Sequence, residues 1–107
     1  MLSNSGIKPE RLILFIHLLN LFIMKHISKN SQKGLKALAA QTPTEYFIAY
    51  VHDAEINDNY YALFQKEDIE PIRGNKDLDV ILRHCFFLGI SINNCTIYDK
   101  YSRVYSL

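Results

Sequence analysis

A cluster of possible metal ligands lies in the middle of the chain. Its members fall within seven residues of one another and are His52, Asp53, Glu55 and Asp58. Asp53, Glu55 and Asn57 match the first three ligand positions of a calcium-binding loop, but Asp58 replaces the required glycine and Phe64 replaces the bidentate glutamate. Asp and Asn are also ordinary turn residues. We therefore interpret this stretch as a solvated turn and predict neither a metal site nor a cofactor.

His84 and Cys85 are the only adjacent pair of an imidazole and a thiol. Neighbours on a helix point about 100° apart, so these two side chains cannot act together as base and nucleophile. Cys85 falls on an apolar stripe and is predicted to be a buried structural cysteine. The chain also lacks the G-x-S-x-G, G-x-G-x-x-G, phosphate-loop and H-E-x-x-H motifs. We expect no catalytic residues and no enzymatic activity.

A row of lysines could bind phosphate groups. On a continuous helix, the spacing places on one face Lys25, Lys29, Lys33 and Lys36. This lysine stripe contains no arginine for bidentate contacts and no aromatic residue for base stacking. A solvated helix surface is the favoured interpretation, and a nucleic-acid interface is the alternative.

Acidic residues follow in the second half of the chain and could face a basic protein partner. They are Asp53, Glu55, Asp58, Glu67, Asp68 and Glu70. Up to Pro43 the chain has six basic residues against one acidic residue, and from Thr44 onward it has six against ten. This opposite polarity favours self-association or binding to a charged partner. We predict that the acidic residues of the turn and of the following loop bind a protein.

Two cysteines in 107 residues are too few for a disulfide framework, and a reducing cytoplasm is the expected location. The length fits one domain, 1–107, with one core. The apolar run Leu12–Met24 has 13 residues and contains His17 and Asn20, which makes it too short and too polar to span a membrane. We predict an apolar helix within residues 1–27 that associates with its own core or with a second copy. Because Met24 could also start translation, residues 1–23 are alternatively an extension.

The periodicity predicts an α+β fold with the order α-α-β-β-α-β-β. The second helix begins near Ser28 or Asn30 and ends before Pro43, and an antiparallel hairpin joins Tyr46–Val51 to Tyr60–Phe64. Residues 69–75 are expected to form a loop. The last elements are an amphipathic helix from Leu78 to Leu88, capped by Asn75 and stopped by Gly89, and two short strands at 95–98 and 103–105.

These elements predict an antiparallel sheet covered on one face by helices. If residues 12–16 formed a strand, the order would instead be the ferredoxin-like βαββαβ. Exposed Tyr46, Tyr50 and Tyr61 could then stack on RNA bases, although the glycine-bearing signature of such domains is absent.

About a third of the chain, from Tyr60 to Tyr98, resembles small accessory proteins of bacterial plasmids and phages. The similarity lies in the Tyr-Ala-Leu-Phe strand, Pro71, the helix Leu78 to Leu88 and its Leu-Gly-Ile ending. It implies a bacterial, mobile-element setting and identifies no functional residues. We therefore expect a small protein-interaction module, such as an inhibitor, an immunity protein or an accessory factor. A nucleic-acid-binding regulator is the alternative.

Overall fold

The apolar, β-branched and aromatic residues of the middle of the chain form a four-stranded mixed sheet. The computed structural model describes residues 26–105. Along the chain, the elements are α1 (Lys29–Gln41), β1 (Tyr46–Asp53), β2 (Asp58–Gln65), β3 (Glu70–Asn75), α2 (Leu78–Phe87), a short 3₁₀ turn (Ile92–Asn94) and β4 (Cys95–Ile97). The α+β class is therefore confirmed. The predicted first helix and the 12–16 strand lie outside the described residues.

The strands are arranged in the order β3-β2-β1-β4. β1 pairs with β2, and β2 with β3, in the antiparallel sense, whereas β4 lies parallel to β1. The prediction of a purely antiparallel sheet was wrong, because α2 carries the chain back across the sheet before β4 begins. The ferredoxin-like alternative also does not fit, since three strands separate the two helices instead of two.

Strand β3 replaces the loop predicted for residues 69–75, a prediction that rested on Pro71 and Gly74. β3 is an edge strand, where the absent N–H of proline need not interrupt the ladder. A register shift at Leu63/Phe64 brings Pro71 opposite Phe64 and Gly74 opposite Ala62. The aromatic ring of Tyr60 lies so close to Gly74 that a Cβ atom there would be 3.0 Å from its Cε1.

The helices lie on opposite faces of the sheet, which corrects the expected single layer. On the α1 face, Leu35 and Leu38 join a buried cluster with alternate β1 residues, Phe47, Ala49 and Val51. On the α2 face, Ile81 and Cys85 join a second cluster with Ile48, Leu63, Cys95 and Ile97. Apolar stripes on both helices were visible in the sequence, but such a stripe does not specify which face of a sheet it covers.

The ends of the elements mostly follow the predicted caps. Ser28 caps α1 by accepting a hydrogen bond from the Ser31 N–H, as predicted. The cap of α2 is Asp77 and not Asn75, whose side chain instead accepts from the Asp77 N–H. Residues 103–105 form only an isolated bridge from Val104 to Tyr98, not the predicted strand.

Candidate functional site

One face of α2 points away from the sheet and carries large apolar side chains. We define the α2 surface by the five residues that line a shallow groove on this face: Asp79, Leu82, Arg83, Phe86 and Phe87. Their spacing at i, i+3, i+4, i+7 and i+8 places them along one side of a helix. The other side of the helix holds the buried Ile81 and Cys85, and Leu82 lies at the border, half-buried against the same cluster. α2 therefore has apolar residues on both its inner and its outer side.

The end of α2 fixes the direction in which this surface faces. Gly89 has a φ of +74° and ends the helix; its N–H donates to the Phe86 carbonyl, and the Ile90 N–H donates to the Cys85 carbonyl. This pair of bonds is the Schellman motif, which normally brings an apolar residue after the helix back onto the last turn. Here Ile90 packs on the same cluster as Cys85. The inner side of the last turn is thereby fixed to the core, and Phe86 and Phe87 are held outward.

Phe86 and Phe87 are each 79% exposed. Their ring centroids are 5.9 Å apart and the rings meet edge to face at 71°. Leu88 and Ile92 are also exposed, at 46% and 44%. Large apolar side chains that stay in water on a well-capped helix are typical of surfaces that bind another protein.

The charged residues of the α2 surface lie among the apolar ones. Arg83 is one turn before Phe87 and makes no ion pair within the described residues. Asp79 is in the first turn, where a carboxylate interacts favourably with the positive end of the helix. The part of the surface nearest the aromatic pair therefore carries a free positive charge.

The predicted acidic residues occupy two separate places. Glu55 is exposed in the turn between β1 and β2, whereas Glu67 and Asp68 are exposed in the turn between β2 and β3. The eight residues of β2 separate the two turns by about 25 Å. The sheet therefore does not bring the two acidic groups together. Glu70 begins β3 and is half-buried.

Asp53 is buried and has a structural role at the end of β1. Its carboxylate accepts hydrogen bonds from the Tyr60 hydroxyl at 2.9 Å and from the N–H groups of Glu55 and Ile56 at 2.9 and 3.3 Å. Burial alone would raise the pKa of Asp53, but these three hydrogen bonds outweigh it and lower the pKa. Burial, together with the hydrogen bond to the negatively charged Asp53, raises the pKa of Tyr60 to about 12.

His52 and Asp58, two further members of the cluster of possible metal ligands, have polar partners within the sheet. Asp58 forms an ion pair with Lys76, and its pKa is lowered by this hydrogen bond and by the Asn59 N–H. The His52 Nδ1 lies 2.7 Å from the Asn59 side-chain oxygen. Among residues 26–105, no group of three or more His, Cys, Asp or Glu side chains is arranged to hold a metal ion.

The described lysines of the stripe all face solvent. Lys29, Lys33 and Lys36 are exposed on α1, opposite the buried Leu35 and Leu38. Lys25 lies outside the described residues. The structure therefore provides an exposed basic row on the outer side of α1.

The two cysteines are buried together on the α2 face of the sheet. Cys85 is buried, as predicted, and its thiol is hydrogen-bonded to that of Cys95. This hydrogen bond, together with burial, raises the pKa of Cys95. Both cysteines are free of disulfides. The raised pKa of Cys95 opposes formation of its thiolate, whereas the same hydrogen bond lowers the pKa of Cys85. The contact between α2 and β4 could not be found from the sequence, because the spacing of Cys85 and Cys95 matches no known motif.

Comparison of the whole chain with protein families, characterised proteins and solved structures finds no match. In the part of the chain that the structure describes, neither helix has the length and apolar character needed to cross a bilayer.

The α2 surface was missed by reasoning from the sequence. Phe86 and Phe87 follow Cys85 directly, and a run of apolar residues at a helix end does not show which of them point outward. The available signal was Gly89, which ends the helix directly after four consecutive apolar residues, Cys85 to Leu88. Four consecutive residues point in all directions around a single helical turn, so some of them must point away from the core.

Proposed function

We propose that this protein is a non-enzymatic protein-interaction module whose partner binds the α2 surface. The observation that supports this most directly is the pair of adjacent phenylalanines, each 79% exposed, on a helix end that is fixed to the core. Aromatic residues and arginine dominate the binding energy of protein interfaces when a partner takes them out of water. A role as inhibitor, immunity protein or mobile-element accessory factor is compatible with such a surface.

The apolar and charged residues of the α2 surface indicate which chemical groups a partner must present to it. Phe86 and Phe87 require an apolar groove, and the free guanidinium of Arg83 requires a carboxylate beside that groove. The acidic turns around Glu55 and Asp68 lie elsewhere on the molecule and offer a second, weaker site for a basic partner.

Substitution of the two phenylalanines tests the proposal. The full chain and its Phe86→Ser/Phe87→Ser variant are immobilised as baits for pull-down from a nuclease-treated lysate of the organism that naturally produces the protein. Bound partners are then purified, and their affinities are measured by calorimetry. Truncation of a central aromatic contact typically costs about 2 kcal/mol, so each substitution is expected to weaken binding about 30-fold.

Tyr101→Ser is the matched control, because Tyr101 is 76% exposed but lies in the turn after β4. Changes at exposed positions typically alter stability by less than about 0.5 kcal/mol, so both variants should remain folded. A partner that binds the Phe86→Ser/Phe87→Ser variant as tightly as the unchanged protein would show that the α2 surface is not the binding site.

A nucleic-acid-binding regulator is the second candidate, supported by the exposure of Lys29, Lys33 and Lys36 on one side of α1. Binding through these side chains would be electrostatic, because lysines contact phosphates without reading bases. Changing all three to Gln should weaken retention on heparin and duplex DNA and reduce the salt dependence by about 0.9 for each lost phosphate contact. Unchanged retention would remove this candidate.

A further inference from the structure

The thiols of Cys85 and Cys95 meet between the end of α2 and the start of β4. The hydrogen bond between them holds the two sulfur atoms side by side, and both side chains belong to the buried cluster on the α2 face. They are the only two cysteines of the chain, and both are free of disulfides. A disulfide within one chain could therefore join only these two residues.

The backbone fixes the position of each cysteine. The Cys85 carbonyl accepts from the Ile90 N–H at 2.9 Å, which ties the last turn of α2 to the core. Cys95 is the first residue of β4, where it lies in register with Tyr46 of β1. The sulfur atoms of a disulfide are about 2.05 Å apart. Since the two thiols are already in contact, forming the bond requires a short approach of the sulfurs and no change of topology.

A surface groove of about 410 Å³ opens beside this pair, and Cys95 is one of the residues that line it. Ile92 and Val104 stand on the same walls. Cys95 is 7% exposed, whereas Cys85 is 2% exposed. A small oxidant such as hydrogen peroxide, not much larger than a water molecule, can therefore reach Cys95 from the groove. Cys85 lies behind it, against the sheet.

We propose that Cys85 and Cys95 form a redox modification site, which a small peroxide entering through the groove beside Cys95 oxidises reversibly to a disulfide. Disulfides of this kind are transient in reducing compartments, where thiols reverse them. The oxidised bond would join the end of α2 to β4 through a short loop, and a loop closed in this way lowers the entropy of the unfolded chain. The oxidised protein is therefore the more stable form.

The reaction balances with one peroxide molecule. The proton shared in the hydrogen bond moves from Cys95 to Cys85, and the Cys95 thiolate attacks the peroxide; a sulfur–oxygen bond forms, the oxygen–oxygen bond breaks and hydroxide leaves. The Cys85 thiol then attacks the sulfur of this sulfenic acid, so that a sulfur–sulfur bond forms and the hydroxyl group leaves with the thiol proton as water. The proton released when the pair ionised neutralises the hydroxide. Two thiols are oxidised, and the peroxide is reduced to two water molecules.

Mass spectrometry of the oxidised full chain tests this proposal. The reduced protein is treated with hydrogen peroxide at neutral pH and then unfolded in N-ethylmaleimide. We expect a product that has lost two hydrogen atoms and carries no maleimide, and dithiothreitol should restore both thiols. Trypsin releases both cysteines in one peptide, residues 84–100. Chymotrypsin cleaves this peptide after Phe86 and Phe87, and the fragments should separate only after reduction.

Two variants identify the thiol that meets the peroxide. In Cys85→Ser the sulfenic acid on Cys95 has no second thiol, so dimedone, which reacts with sulfenic acids, should label Cys95. In Cys95→Ser, dimedone should label Cys85 much more slowly, because Cys85 does not line the groove. Equal labelling of the two variants would overturn the proposed route through the groove.

The unchanged protein decides the proposal even if neither variant folds. Two maleimides on each chain after peroxide treatment would overturn it, as would a sulfinic acid on one cysteine or a disulfide found only between two chains. The thermal midpoint of the oxidised protein should also exceed that of the reduced protein by about 5 °C. A lower midpoint would show that the bond distorts the fold, which contradicts a pair already in position. Phe86 and Phe87 are unchanged throughout, so this proposal and partner binding to the α2 surface can fail independently.

Discussion

At the scale of single residues, the contact between Tyr60 and Asp53 holds the end of β1 to the start of β2. The Tyr60 hydroxyl is the only side-chain donor among the three hydrogen bonds that the buried carboxylate accepts within the described residues. We predict that Tyr60→Phe lowers the free energy of unfolding by about 2 kcal/mol, since a hydrogen bond to a charged group is lost. Urea denaturation of both proteins at neutral pH measures this change. An equal stability would show that water replaces the phenol.

The raised pKa of Tyr60 predicts a loss of stability in alkali. In the unfolded chain this phenol ionises near its ordinary pKa of 10.0, whereas in the folded protein the pKa is about 12. The stabilisation is complete below pH 10 and is lost as the pH rises from 10 to 12. Denaturation at several alkaline pH values should therefore show a steeper fall for the unchanged protein than for Tyr60→Phe. Parallel curves would contradict the assigned pKa.

At the scale of the elements, two glycines should respond in opposite ways to the same substitution. Gly89 has a φ of +74° at the end of α2, so Gly89→Ala should destabilise the protein by about 1 kcal/mol. Gly34 lies within α1 with no neighbouring atom within 4 Å of an added Cβ, so Gly34→Ala should stabilise it by about 0.5 to 1 kcal/mol. The denaturation midpoint should fall for Gly89→Ala and rise for Gly34→Ala. Midpoints that shift in the same direction for both variants would contradict this prediction.

The helices and the first hairpin could be predicted from the sequence because their signals are local. Ser28 caps α1, and Gly89 ends α2, through contacts within a few residues. β3 could not be predicted in this way, because its two strand-breaking residues depend on distant contacts. Pro71 is tolerated because β3 is an edge strand, and Gly74 fits because it lies against the ring of Tyr60. The parallel pairing of β4 with β1 likewise depends on residues far apart in the sequence.

The candidate site was harder to predict than the fold. The acidic residues were grouped because they are close in sequence, but β2 runs between their two turns, and Asp53 is used inside the structure. The α2 surface depends on which side of the helix meets the sheet. That choice is made by Ile81, Cys85 and Ile90 together with residues of distant strands.

At the scale of the whole molecule, buried hydroxyl groups join the end of α1 to the end of β4. The Thr42 hydroxyl donates to the Leu38 carbonyl at 2.6 Å and lies 2.7 Å from the Tyr98 hydroxyl, which therefore donates to Thr42. Both residues are 1% exposed. We predict that Tyr98→Phe costs about 1 kcal/mol, and that a double-mutant cycle with Thr42→Val gives a coupling of about 1 kcal/mol.

Thermal or urea denaturation of the two single variants and the double variant measures this coupling. Tyr101→Phe serves as control, because Tyr101 is exposed and its hydroxyl has no comparable buried partner among the described residues. Additive effects of Thr42→Val and Tyr98→Phe would show that the two hydroxyls do not interact.

The parallel pairing of β4 with β1 also has a consequence for biosynthesis. Translation produces β1, β2 and β3 first, and these strands can pair with one another at once. The opposite edge of β1, at Tyr46, Phe47 and Ile48, stays unpaired until α2 and β4 have been synthesised. During that interval a nascent chain exposes an open edge on its most apolar strand, where strands of other nascent chains can add.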